Sequence, residues 1–311
     1  MVALMANSPA SQAATVATTS SYYEYNVDPN ALYAQGAAAG RANSQGLVIL
    51  DFGRPAFDGT NHGTINYSNQ FVSLASIETA VEGYIKGYFD IAPSFTQLSV
   101  AVGTNNSCGT GQPCGNIICG CSLEPSDFFA WGRLLAATVM QIQAWTNSWK
   151  ASHRFTDVVK VVAADDVEPA QDPGYKNTHD VLAGYAQAVG GYQPAMVDYG
   201  SAESGYWTQD QLLEAANGFR PNVAAPEIYY PSDANNWAAL ANYAKNKHGI
   251  SVTFFGVLTE FPVANSPQAG HDQLVNAIRP VTGQANIVWS TNIAPLRQGP
   301  GTAMNHGRGD P

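Results

Sequence analysis

Glu168, Asp198, Glu227, Glu260 and Thr291 each stand near the end of a short apolar run, and successive members lie 30, 29, 33 and 31 residues apart. One strand followed by one helix occupies about that length in an eight-stranded α/β barrel of ~250 residues. The runs are rich in β-branched residues and the segments between them are amphipathic, which is the pattern of βα units around a parallel sheet. Seven strands can be named: LVILDFG (47 to 53), LSVAVGTN (98 to 105), VVKVVAADDVE (158 to 168), AMVDYGS (195 to 201), AAPEIYY (224 to 230), SVTFFGVLTE (251 to 260) and NIVWSTN (286 to 292). The expected fold is therefore an α/β barrel of the (β/α)8 TIM type with seven or eight parallel strands. A doubly wound open sheet is the alternative. Between Asp51 and Glu168 there is room for almost four units, yet one intermediate strand is evident. The GTINYSNQFVS region, the SYYEYNV segment near the start, or long loops fill the difference.

Residues 1 to 20 are mostly Ala, Ser and Thr with little to bury, and are expected to be disordered or draped on the surface. The tail from 297 to 311 reads as flexible, leaving 21 to 296 as one barrel domain. Charged residues make up 12% of the 311, and 14 basic against 24 acidic residues give a net charge of -10. Phosphate backbones and anionic membranes are repelled by such a surface, so nucleic acid is not an expected partner. No apolar run approaches the ~20 residues that span a bilayer, and membrane insertion is not expected. The opening segment is not a complete signal peptide, but ASQAA reads as the remnant of a small-residue cleavage region. The neutral, polar composition suggests a secreted or extracellular protein.

Cys108, Cys114, Cys119 and Cys121 all fall within CGTGQPCGNIICGC. Their gaps of five, four and one residues fit poorly with paired zinc ligands. Two disulfides stapling a Gly-rich loop insertion, formed in an oxidising compartment, are the preferred reading, with zinc as the alternative.

The chemistry is expected at the strand ends. Residues two apart on a strand share a face, so Val162, Ala164, Asp166 and Glu168 point one way and Asp165 the other. Leu47, Ile49 and Asp51 repeat the arrangement, and Glu260 shares a face with Val252, Phe254, Gly256 and Leu258. Asp198 and Glu227 end shorter strands. Barrel enzymes keep their sites at this C-terminal mouth. Acids held close there split one another's pKa values, which lets one carboxyl donate a proton while another stays ionised, as glycoside hydrolysis requires. Aromatic neighbours, including Tyr199, Tyr229 and Trp289, are candidate platforms for sugar rings, with ordinary packing as the plainer explanation. The chain contains no G-x-S-x-G elbow, H-E-x-x-H, Walker loop or strand-linked G-x-G-x-x-G. Asp165, Asp166 and Glu168 could hold Ca²⁺ or Mg²⁺, but Asp165 faces away from the other two, and no metal or other cofactor is expected.

An Asp closing the first named strand in LVILDFG, together with a later strand ending in DDVEP, resembles the glycoside hydrolase family 25 lysozymes and related glycosidase-like barrels. The resemblance covers these two motifs and the strand rhythm. It implies Glu168 as proton donor, Asp166 as the partner that steadies an acetamido group or oxocarbenium charge, and Asp51 as a supporting carboxylate. Chitinase-like barrels also carry Asp-x-Glu, but with a further Asp where this chain has Ala164. Glu260 and Glu227 are reserve candidates for nucleophile or base. The expected function is extracellular cleavage of a polysaccharide or amino-sugar glycan by carboxylate acid/base chemistry, with Asp198, Tyr199, Tyr229 and Trp289 binding the glycan. A non-catalytic glycan-binding or surface-assembly protein on the same barrel is the alternative.

Overall fold

The computed structural model describes residues 15–93, 96–107, 118–119, 123, 125–153, 156, 158–172, 174–191, 193–219, 222–284 and 286–295. In chain order the first half holds β1 (Ala17–Tyr23), α1 (Pro29–Arg41), β2 (Gly46–Asp51), β3 (Arg54–Phe57), β4 (His62–Ile65), β5 (Phe71–Ser73), α2 (Leu74–Ile91), β6 (Gln97–Asn105), β7 (Ile118–Cys119) and α3 (Pro125–His153). The second half holds β8 (Val158–Asp166), α4 (Lys176–Val189), β9 (Met196–Asp198), α5 (Gln209–Leu213), β10 (Val223–Ala224), α6 (Pro231–Tyr243), β11 (Leu258–Thr259), α7 (Pro267–Thr282) and β12 (Trp289–Ile293).

Eight of these strands form one all-parallel, curled sheet in the order β10-β9-β8-β6-β2-β1-β12-β11. That order follows the chain around the curve, with β10 and β11 as its two edges. The expected regular barrel is corrected at this point, because the ladders leave those edges unpaired. Isolated parallel bridges at Ala224 with Phe254 and at Glu227 with Leu258 link the two sides. Four backbone hydrogen bonds accompany them: Ala224 N to Thr253 O, Phe255 N to Ala224 O, Leu258 N to Pro226 O and Ile228 N to Leu258 O. Pro226, which has no N–H to give, interrupts the ladder on the β10 side.

Alternate residues of each strand serve two separate layers, as in parallel sheets covered on both faces. Leu47, Ile49, Ala101, Val162, Ala164, Val197, Leu258 and Ile293 pack together on the concave side. Val48, Leu50, Val100, Val102, Val161 and Ala163 pack outward against helix residues such as Tyr84, Trp131, Tyr185 and Trp237. The helices come unusually close in pairs. A Cβ on Gly36 of α1 would overlap the Tyr84 carbonyl of α2, and one on Gly87 of α2 would overlap the Tyr33 carbonyl of α1. Gly132 and Gly184 stand in the same reciprocal relation between α3 and α4.

Two expectations change. Residues 17 to 20, expected to be disordered or draped, form the first half of β1, the eighth strand. Hydroxyls of β1 tie it to its neighbours: Thr19 Oγ1 donates to Leu47 O, and, in the SYYEYNV segment, Ser21 Oγ lies 2.6 Å from Thr291 Oγ1 and accepts from Ile49 N at 2.8 Å. The GTINYSNQFVS region does hold strands, but β4 and β5 belong to a separate four-stranded antiparallel sheet ordered β5-β4-β3-β7. Cys119, in β7, is not a free thiol. Cys108, Cys114 and Cys121, and with them the stapled loop and its pairing, lie outside the described residues, as do residues 1 to 14 and the tail from 296. Among the described residues no helix is long and apolar enough to cross a membrane.

Candidate functional site

The C-terminal ends of the parallel strands share one rim, and the concave face brings acids to it. Asp51 is fully buried at the end of β2, where Gly53 N donates to Oδ1 at 2.8 Å and Tyr67 Oη donates to Oδ2 at 2.6 Å. Tyr67 sits in the turn between β4 and β5, so the small antiparallel sheet folds this phenol back over β2. Asn105 Nδ2, at the end of β6, donates to the same phenol at 3.0 Å, and the Tyr23 ring packs on that of Tyr67 at 4.8 Å between centroids. Burial raises the Asp51 pKa, while the hydrogen bonds from Tyr67, Gly53 and Tyr199 hold it down.

Asp166 ends β8 on the concave face. Its carboxyl is pushed well above the ordinary range, first by burial and then by the charges of Glu227, Glu168, Asp51 and Asp165. Its Oδ1 is buried and has no hydrogen-bond partner among the described residues. Glu168 lies two residues past the strand. Asn106 clamps its backbone, accepting from Glu168 N at 3.0 Å and donating to Glu168 O at 3.3 Å, and Ser201 Oγ donates to Glu168 Oε2 at 3.2 Å. Buried Glu227, at the isolated bridge beside β11, accepts from Tyr229 Oη at 2.6 Å. Asp166, Glu168 and Glu227 each offer an oxygen, and the three lie within 4.8 Å of one another. Buried Glu260 completes the surround: the Tyr23 phenol is raised by burial first and then by Glu227, Asp166, Glu260 and Asp51.

Other residues named from sequence go elsewhere. Asp165 faces outward, as its alternation with Asp166 predicts, and accepts from Thr104 Oγ1 at 3.1 Å. Burial lifts its pKa to about 7 against that hydrogen bond. Asp198 is the register partner of Asp165, lies on the same outward side and accepts from Gly200 N at 3.1 Å, which removes it from the mouth. Trp289 opens β12 at the opposite end of the sheet, with its ring against Gly46. Tyr199 is buried in the mouth floor, where its one phenol proton is shared between Thr104 O, 2.9 Å away, and the Asp51 carboxylate. A small cavity lined by Asp165, Asn106, Asn177 and Thr178 among others lies behind β8 rather than in the mouth; at ≈ 10 Å³ it has room for about one water.

Tyr23, Tyr67, Asn105, Asn106 and Ser201 were not singled out from sequence. An acid-flanked phenol or amide carries no local signal, and Tyr67 reaches the mouth through the turn of an unexpected sheet. Asp166, Glu168 and Glu227 are also the donor type that a hard divalent cation takes.

Fold and site together define an α/β protein whose curled parallel sheet gathers carboxylates and phenols at its C-terminal rim. Searches against protein-family models and against curated proteins return no match for the chain.

Proposed function

We propose that the protein is a secreted glycoside hydrolase-like enzyme on a TIM-type barrel, cleaving a polysaccharide or amino-sugar glycan at this rim. One observation carries the reading: carboxylate oxygens of Asp166, Glu168 and Glu227, from the end of β8 and from the segment after β10, lie within 4.8 Å of one another. Glu168, half-buried at the rim, is the proton donor to the glycosidic oxygen as the C1–O bond breaks. Asp166, whose carboxyl burial and like charges push well above the ordinary range, hydrogen-bonds the substrate beside C1. Glu227, steadied by Tyr229, faces the developing oxocarbenium charge. Glu227 bonds C1 as that charge develops, and water then displaces Glu227 from C1 while giving a proton to Glu168. The short spacing fits the arrangement of about 5 Å that goes with retention, rather than the wider gap of ~6.5–9.5 Å that admits a water for inversion. Cys119, which is not a free thiol, accords with an extracellular setting.

The test is release of reducing ends from amino-sugar glycans by the wild-type chain and by Glu168→Gln. Loss of ~10²-fold or more in kcat with an unchanged circular dichroism spectrum is expected. Full activity in the variant removes Glu168 from its role. If the wild type releases nothing from any glycan it binds, the non-catalytic binding protein is the correct reading.

A further inference from the structure

Among the described residues, the aromatic side chains that stand exposed are Tyr206, Tyr230 and Phe261, at 48%, 51% and 51%. Every one lies on a loop that leaves the C-terminal end of a parallel strand: Tyr206 between β9 and α5, Tyr230 between β10 and α6, and Phe261 between β11 and α7. All three therefore belong to the rim that holds the acids, on three consecutive loops. Two are joined directly to the site, since Phe261 follows Glu260 and Tyr230 follows Tyr229, whose phenol holds Glu227.

The backbones beneath these two rings are fixed. Phe261 N donates to Asn292 Oδ1 at 2.7 Å, and Asn292 Nδ2 donates back to Phe261 O at 3.2 Å. Tyr230 N and Tyr229 N both donate to Oδ2 of buried Asp233, at 2.9 Å each. Exposed rings on ordered backbone have little conformational freedom left to lose on binding, which is how a preorganised contact surface differs from a loose loop. Scattered exposed apolar residues need no explanation by themselves; confinement of the exposed rings to one rim does.

The geometry points to a stacking track for a glycan chain, running from the carboxylate mouth across the loops after β9, β10 and β11, so that the ligand is an extended oligosaccharide rather than a single terminal sugar. Separate flat rings among uncharged amides such as Asn265 and Asn292 suit the alternating apolar faces and hydroxyl edges of linked sugars. A docked protein needs a contiguous apolar patch instead. This inference rests on the glycan-directed reading of the mouth, but it is tested by binding rather than by turnover.

The experiment is calorimetric titration of the full chain carrying Glu168→Gln, which prevents consumption of the ligand, with β-1,4-linked N-acetylglucosamine oligomers of two, four and six units. Affinity is expected to tighten about tenfold or more from two units to six. In Tyr230→Ala/Phe261→Ala on the same background that gain should disappear, with the affinity for two units changed less than about twofold. Phe261→Trp should restore part of it. An equal gain in the double variant, no dependence on length, or no binding of any oligomer overturns the track. Length-dependent binding by a wild-type chain that releases no product supports the track while sinking the hydrolytic reading.

Discussion

The Tyr67 phenol donates to Asp51 Oδ2 across 2.6 Å, joining the turn of the small antiparallel sheet to the end of β2. Tyr67→Phe keeps the ring against Tyr23 and deletes the donor. Of the hydrogen bonds opposing the burial of Asp51 the one from Tyr67 is the largest, so its loss moves the Asp51 pKa further up. The acid limb of the rate profile should shift to higher pH, with a roughly tenfold fall in kcat/KM on that limb. Rate profiles of the two proteins on one glycan check this, and superimposable limbs would exclude an ionised Asp51 from the reaction.

Asp166→Asn should separate stability from activity. Burial and neighbouring acids oppose the charged form of Asp166, so an amide of the same shape relieves the folded state above neutral pH. The unfolding midpoint at pH 8 should rise by about 2–4 °C for each kcal/mol relieved. Activity should fall by ~10²-fold or more. A midpoint that drops would show that Asp166 is held by interactions its carboxyl alone can make.

Glu24 offers a test of linkage away from the mouth. Burial lifts its carboxyl to about 7 from an ordinary 4.5, with a hydrogen bond from Gln35 opposing and the charge of Asp51 adding to the rise. The Tyr22 and Tyr84 phenols respond in turn to the Glu24 charge. The folded state thus binds the proton more tightly than the unfolded chain. This contribution is fully present below pH ~4.5 and is lost as pH rises through about 7. Glu24→Gln should raise stability at pH 8 by about 3 kcal/mol and at pH 4 by almost nothing. Denaturant unfolding at the two pH values measures it; a gain independent of pH contradicts the assignment.

Gly36→Ala and Gly87→Ala should each cost several kcal/mol, although alanine is the better helix former. The new methyl meets a carbonyl oxygen of the facing helix, and backbone cannot yield as a side-chain tip can. Urea denaturation gives the loss. Variants as stable as the wild type would mean that α1 and α2 separate freely.

Five of the seven runs named from sequence, those holding β2, β6, β8, β9 and β12, were legible because β-branched runs recur at the length of a βα unit, and alternation within β2 and β8 correctly set Asp51 and Asp166 on one face and Asp165 on the other. AAPEIYY and SVTFFGVLTE keep only Ala224 of the two-residue strand Val223–Ala224, the two-residue strand Leu258–Thr259, and isolated bridges at Glu227 and Phe254. β1 was harder to find because Thr19 and Ser21 form their contacts through hydroxyls, which in composition look the same as a solvated tail. β9 gave too few residues for its face to be read, and Asp198 proved to lie on the outer side with Asp165. Trp289 stands at the start of its strand and not at the end, a distinction blurred by the uncertain boundary of a run beginning at Asn286. The phenols around the acids come from segments remote in the chain, and no local pattern announces such a meeting.

Strand β8 presents valine and alanine to both sides, so hydrophobicity does not tell it which residue should stand opposite which. Sliding it by one position would leave both layers greasy and would exchange Asp165 for Asp166, one acid for another, with no obvious penalty. Asn106 resolves the ambiguity, because its side-chain amide engages both backbone groups of Glu168 and is satisfied in a single alignment. The alignment that sets the rim carboxyls is therefore pinned in part by a neutral side chain, alongside the bonds from Thr104 to Asp165 and from Val161 N to Gln143.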